Sequence, residues 1–405
     1  RVLFRSVLAS LGDEPESMKP ILLICAGAML APLDSSVNVA FADITQSFGI
    51  APAQIQWVIL PFVMAQSLAS LCFGRWGDLY GHRRIFALGL AACVLTHAAI
   101  TLSADYPTLV IWRAIQGAAV GMVVACAPAL VSRAVDVAQI PRALAQYSAA
   151  ISAGMILGPL LGGLLVHALG WTGVYMYRVL WAAAVLLALP WVLRSETRVI
   201  PTGQSRAAWD GRAFRAPHVL VLQASAVLIY LSTFTIMLWV PFLLAGWPEL
   251  GSIGAGLILA VFPAGALTAS LCAARCPWPP GPQHSKAWVR WGLAGAALGL
   301  AIAAYAAWTD WRVLLVFALG LCGLGLGAFQ SGYFEQTLRW LPADQRGLAG
   351  ALVNAMRLLG LLMGVPALSA LGQHLGIAHT LAIAAGVTAA GLCLLSLLPK
   401  SLKVP

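Results

Sequence analysis

The chain runs to 405 residues, of which 60% are hydrophobic and only 9% charged, with a mean hydropathy of +0.87. Water-soluble domains carry about 25% charged residues, so a globule in water could not hide this much apolar surface, and the solvent is a lipid bilayer. The net charge of +10 does not point to nucleic acid, because the basic residues sit at the ends of apolar runs rather than in clusters interleaved with aromatics.

Residues 1–17, RVLFRSVLASLGDEPES, lack the shape of a signal peptide, since charges interrupt them before any cleavage site. RVLFRS looks like a translated library adapter, and this segment is expected to be disordered and partly artefactual. A span needs about 20 mostly apolar residues. Six are predicted near 20–42, 54–74, 85–104, 108–132, 144–168 and 173–193, and six more near 219–244, 252–274, 289–308, 313–336, 347–371 and 379–398. Between the sets lies RSETRVIPTGQSRAAWDGRAFRAPH (194–218), polar and rich in Arg. The expected architecture is an all-α polytopic membrane protein with 12 transmembrane helices. They form two pseudo-symmetric six-helix bundles, 18–193 and 219–405, joined by a cytoplasmic linker. That is a transporter plan, with the site between halves.

Charge tests the count. Of the 24 Lys and Arg, only Arg312 falls in an outer loop and only Arg113, Arg178 and Arg357 fall inside spans; every other one lies on the side of the N-terminus. The asymmetry places both termini in the cytoplasm. The eight Cys are scattered through apolar runs, and Cys272 and Cys276 have no His or acid at ligand spacing. No metal or cofactor is expected.

In the first span, LDSSVNVA (33–40) puts Asp34 near mid-depth. Burial there disfavours an ionised carboxylate and a nearby Arg favours it, a balance suited to proton exchange; a permanent structural ion pair is the alternative. Asn38, four residues on, is expected on the same helical face. The second and third spans meet at FGRWGDLYGHRR (73–84), read as a cytoplasmic turn. Gly74, Gly77 and Gly81 would permit the turn, Asp78 would sit at a helix end, and Arg83 and Arg84 add to the positive-inside signal. In one conformational state Asp78 would bridge to Arg83 or to the end of span eleven and act as a latch.

The fourth span contains RAIQGAAVG (113–121). Arg113 stays charged and needs a carboxylate, carbonyls or water, unless it snorkels to the outer surface; Gln116 lies one turn away. In the fifth, GMILGPLLGG (154–163) sets Gly154, Gly158 and Gly162 on one face for close helix approach, with Pro159 and Gly163 alongside. The seventh span, LIYLSTFTIMLWVPF (228–242), offers Tyr230, Thr235 and Trp239 to a pocket for amphipathic compounds or to ordinary packing. Glu335, in span ten, has Arg339 at i+4. Arg178 and Arg357 have no partner legible in the sequence and are expected to face the interior or a cavity. The candidate cavity set is therefore Asp34, Asn38, Arg113, Gln116, Tyr230, Thr235, Trp239, Glu335 and Arg357.

Together these motifs resemble the major facilitator superfamily, its drug:proton antiporters in particular, over roughly residues 20–398. The loop motif (74–84), the fourth-span motif (113–121), the fifth-span antiporter motif (154–163) and the first-span motif of the multidrug branch (33–40) carry the resemblance. QWV (56–58) and RGLA with N-x-x-R-x-x-G (346–360) also fit. The resemblance implies proton coupling through Arg113 and protonation or cation recognition at Asp34. It also implies control of alternating access by Gly74, Asp78, Gly81, Arg83 and Arg84. The expected function is export of drug-like or amphipathic molecules, driven by the proton gradient with no other cofactor, by a monomer in the inner (plasma) membrane. An importer or metabolite exporter of the same fold is the alternative; a non-transporting sensor or an intramembrane enzyme is more remote, since no catalytic dyad appears. Two features depart from the multidrug branch: 194–218 is too short and polar for its two extra central spans, and Ala42 and Arg178 stand where Pro and Asn are expected.

Overall fold

The computed structural model describes residues 15–136, 139–192, 217–275, 282–340 and 348–396, and all regular structure among them is helical. Twelve helices are long and apolar enough to cross a membrane, one for each predicted span. They are α1 (Met18–Phe48), α2 (Pro52–Tyr80), α3 (His82–Thr101), α4 (Tyr106–Arg133), α5 (Arg142–Leu169), α6 (Gly173–Val192), α7 (Pro217–Ala245), α8 (Pro248–Ala273), α9 (Ser285–Thr309), α10 (Arg312–Arg339), α11 (Leu352–Leu375) and α12 (Ile377–Ser396). Residues 1–14 and 194–216, which hold most of the expected disordered N-terminus and of the linker, lie outside the described residues, as does Arg346. The described residues are helical from Pro15 on, within the segment expected to be disordered.

Two spans differ from their prediction in a way that shapes the site. α1 is not one continuous helix. An α-helix over Pro15–Ala28 gives way to a 3-10 segment, Pro32–Ala40, and then to a short α-helix, Phe41–Phe48. Pro32 has no amide hydrogen to continue the helical ladder, and the chain tightens into i→i+3 bonding there. α2 continues as helix to Tyr80, through residues read from their polarity as a loop. Nothing in GRWGDLY stops a helix; only Gly81, at φ 93°, does so. The turn is thus a single residue.

Two compact units divide the chain. The first takes the described residues of 15–34, 61–154 and 175–192. Its core gathers Ile24, Leu30, Phe86, Leu90, Val123 and Cys126 from α1, α3 and α4. The second takes 35–60, 155–174 and the described residues from 217 to 396. Its core is built around Ile229, Leu293, Leu300, Leu319 and Phe329 of α7, α9 and α10. Large apolar side chains also point outward, Leu71 at 73% and Leu95 at 70% exposure among them, as lipid-facing helices require.

Small residues repeat one contact plan. On α4, a Cβ added at Gly117 would lie 2.1 Å from the Phe62 carbonyl oxygen of α2, and one at Gly121 2.6 Å from that of Gln66. On α10, Gly323 and Gly327 make the same approach, 2.1 Å each, to Phe262 and Ala266 of α8. The fifth helix repeats too: Gly158 and Gly162 of α5 press on Ser35 and Ser36 of α1, and Gly360 and Gly364 of α11 on Val227 and Leu231 of α7. Helix four meets helix two, and helix five meets helix one, in the same manner six helices later. That is the internal pseudo-symmetry of the fold.

Candidate functional site

The 3-10 segment of α1 presents Asp34 to α4 and α6. Arg113 of α4 grips the carboxylate with both ends of its guanidinium, Nη1 to Oδ1 and Nη2 to Oδ2, each at 2.8 Å. Arg178 of α6 donates from Nη1 to the same Oδ1 at 2.5 Å. The two Arg side chains are 2% and 0% exposed, and Asp34 alone keeps a small accessible fraction, 14%. Aromatic rings wall the cations: Phe62 lies 4.2 Å from the Arg113 guanidinium carbon, and Tyr175 and Tyr177 lie 4.9 and 5.8 Å from that of Arg178. The close approach at Gly117 brings Phe62 beneath Arg113, so glycine spacing in the sequence becomes cation–π geometry at the site.

A polar chain runs on from Arg113. Its Nη1 donates to Gln116 Oε1 at 2.7 Å, and the Gln116 amide nitrogen lies 2.8 Å from His97 Nε2. His97 Nδ1 is 2.5 Å from the Cys93 carbonyl, which can only accept. Nδ1 therefore carries the proton and Nε2 accepts from Gln116. His97 is fully buried on α3. Two bonds tie α6 to α1 beside this network, Tyr177 donating to the Leu33 carbonyl at 3.3 Å and the Trp181 indole to that of Ala26 at 2.8 Å.

Such a cluster is expensive. Desolvating ions costs several kcal/mol each, and pairing offsets this only with good geometry; removing one partner of a buried pair costs about 3–5 kcal/mol. Bidentate contact, the Gln116 acceptor and the aromatic walls supply that geometry here. Arg113 faces inward rather than snorkelling, and Arg178 gains in Asp34 the partner its sequence context did not disclose. His97 was missed altogether, although a histidine in an apolar run is an intramembrane ionisable group and a signal in itself. Tyr175 and Phe62 carried no such mark.

Asn38 does not share the face of Asp34. A 3-10 helix turns about 120° per residue, so Val37 eclipses Asp34 and Asn38 points elsewhere; its amide donates to Met237 Sδ at 3.1 Å. The expectation failed because it assumed α-helical periodicity.

The other candidates lie in the second unit. Tyr230 and Trp239 are buried: Tyr230 packs edge-on against Phe329 at 6.2 Å, and the Trp239 indole donates to the Leu368 carbonyl at 2.9 Å. Thr235 is fully buried beside them in sequence. Glu335 pairs with Arg339, Nη2 to Oε1 at 2.6 Å, both about one-third exposed. Arg357 is exposed and donates to Asn354 Oδ1 at 2.8 Å.

At the α2–α3 corner Asp78 lies in the last helical turn, its Oδ1 3.1 Å from His82 Nε2 across the Gly81 turn. His82 fills the space beside Gly77, where a Cβ would sit 2.2 Å from its Nδ1; around Gly74 there is open space. In α5, Gly154 faces Pro32, while a Cβ added at Gly163 would lie 2.6 Å from the Ser252 carbonyl oxygen of α8, and one added at Gly256 of α8 would press on the Pro159 carbonyl oxygen. Gly163 thus leaves the face shared by the other three. Among the described residues no three His, Cys, Asp or Glu converge as a metal site would require.

Comparison with known proteins places this arrangement. The chain is 28% identical over 235 residues to the tetracenomycin C resistance and export protein of Streptomyces glaucescens, covering 58% of this chain and 41% of that one. It is 27% identical over 160 residues to a riboflavin transporter of Clostridioides difficile strain 630, covering 39% and 35%. The chain thus spans less than half the length of these curated relatives. Among solved structures, a D-xylose–proton symporter superposes with a TM-score of 0.76 at 14% identity, covering 95% of this chain and 98% of that one. An inward-facing bacterial homologue of the human lysosomal transporter Spinster gives 0.73 at 16%, covering 95% and 96%. These are transporters rather than enzymes. The sequence model described as Major Facilitator Superfamily matches residues 23–280, which contain Asp34, Arg113, Arg178 and the α5 glycines, and the chain belongs to that superfamily.

Proposed function

We propose that the protein exports drug-like or amphipathic small molecules in exchange for protons, by alternating access, from the cytoplasm across the plasma membrane. The observation that carries this reading is the Asp34 carboxylate held by Arg113 inside a membrane span. A proton arriving from outside neutralises Asp34 and loosens its grip on the guanidiniums. The six-helix halves, 18–193 and 219–405, then rock about the linker and expose the proton to the cytoplasm. The driving force is about 2.3 kcal/mol per charge per 100 mV, plus the pH gradient. The export-type relative and the fifth-span glycine motif support the direction. The basic residues beside the N-terminus support cytoplasmic termini, and the protein acts as a monomer.

In an efflux-deficient host, wild type is expected to raise tolerance of at least one amphipathic compound, and Arg113→Ala to lose the effect while still reaching the membrane. Export that survives collapse of the proton gradient would sink the coupling.

The riboflavin transporter among the relatives favours a second reading, carriage of a metabolite. Vesicles of both orientations separate export from uptake: accumulation only in everted vesicles supports export, and accumulation only in right-side-out vesicles supports uptake.

The Asp78–His82 corner serves as the latch. Differential contact of a few kcal/mol between states is enough to bias such an equilibrium. Asp78→Asn is expected to change the turnover rate more than the apparent affinity for substrate, and the opposite pattern in vesicle kinetics counts against a latch.

A further inference from the structure

Two guanidiniums converge on one carboxylate in this chain. The trio of Asp34, Arg113 and Arg178 is therefore net positive whether Asp34 is ionised or protonated. From α3 and α6 it is faced by His97 through Gln116, Tyr175 under both guanidiniums, Tyr177 beside Arg178 and Cys93 beside His97, none of them a carboxylate. With a neutral residue in place of Arg178, Asp34 and Arg113 would balance.

We propose that Arg178 sets the charge selectivity of the transport site: neutral or anionic amphipaths are accepted beside Asp34 and lipophilic cations are rejected. The proposal rests on the transporter reading above and departs from the cation recognition implied by family resemblance. Its physical basis is that an excess guanidinium charge, walled by aromatic rings and poorly hydrated, is screened far less than one in water. A like charge brought within about 8 Å at an effective dielectric near 20 loses ten-fold or more in affinity. When Asp34 is protonated, the donors it releases seek another acceptor, and a carboxylate or phenolate on the substrate serves.

The test uses two probes of one shape and opposite charge, tetraphenylphosphonium and tetraphenylborate. Each is bound at equilibrium to the purified full-length protein without any gradient. The ratio of their affinities, compared between variants, cancels partition into detergent. Arg178→Gln, which keeps an amide donor for Asp34, is expected to shift the ratio toward the phosphonium by about ten-fold or more relative to wild type, and Arg178→Lys to leave it unchanged. An Arg178→Gln ratio equal to that of wild type overturns the proposal, as does an Arg178→Lys ratio that moves as far as that of Arg178→Gln. If Arg178→Gln does not fold, Arg178→Met is compared with wild type in its place, and an unchanged ratio overturns the proposal in the same way. Failure of the transporter reading would appear in vesicle flux and leave this binding result in place.

Discussion

Asp34→Asn is expected to abolish proton-driven efflux and, at the same time, to destabilise the first unit measurably. Asparagine carries no exchangeable charge at this position, so a coupling role cannot survive the change. The second effect follows from the partners. Arg113 and Arg178, both essentially fully buried, would face each other across a neutral amide. Breaking a buried pair costs about 3–5 kcal/mol, and the Asn carbonyl, still able to accept one bond, returns about 1 kcal/mol of that. Thermal unfolding of the purified protein measures the loss, and everted-vesicle efflux under an imposed pH gradient measures the function. The double variant Asp34→Asn/Arg178→Gln, with one cation fewer, is expected to regain part of the stability and none of the efflux. If Asp34 were a structural carboxylate alone, efflux would recover along with stability. Wild-type efflux from the single variant would remove Asp34 from the mechanism altogether.

What the sequence disclosed of this site divides along physical lines. The existence of twelve spans was legible because lipid imposes one requirement, about 20 apolar residues, on each helix. The candidacy of Asp34 and Arg113 was legible for the complementary reason, since charge inside such a run is costly enough to demand a use. Which groups share a face was not legible where the backbone left the α-helical period. Pro32 announced a break, but not that the nine residues it opens would wind as a 3-10 helix, and so Asn38 was placed beside Asp34 wrongly. Arg178 could be seen to need a partner and not which one, because Asp34 lies 144 residues away. His97 shows a different limit: its role is set by a hydrogen-bond chain through Gln116, and no periodicity encodes such a chain. The polar stretch before Gly81 misled in the other direction, because a helix that leaves the hydrocarbon region has no further need of apolar residues.

Gly162→Val is expected to cost more efflux than stability, and this contrast separates positioning from mere packing. A Cβ at residue 162 would lie 2.7 Å from the Ser36 carbonyl oxygen, a backbone atom that can move only with the 3-10 segment. At Gly158 the obstacle is the Ser35 hydroxyl, 2.0 Å from where the Cβ would lie, the tip of a side chain rather than backbone, with the Ser35 Cβ 3.2 Å off. Forcing extra carbon into a packed contact costs about 1–3 kcal/mol, with Gly158→Ala at the low end and Gly162→Val at the high end. Ser35 and Ser36 follow Asp34 directly in the chain, so displacing them re-aims the carboxylate that the two guanidiniums grip at 2.5–2.8 Å. Charge-assisted bonds of that length lose most of their advantage with a shift of under an ångström. Gly162→Val protein should therefore insert and remain monodisperse in detergent while its efflux falls to background. Ser35→Ala should rescue Gly158→Ala, since it removes the obstructing oxygen, and should do nothing for Gly162→Val. If efflux and melting temperature instead fall in proportion across these variants, the glycine ladder only holds helices together, and the position of Asp34 does not depend on it.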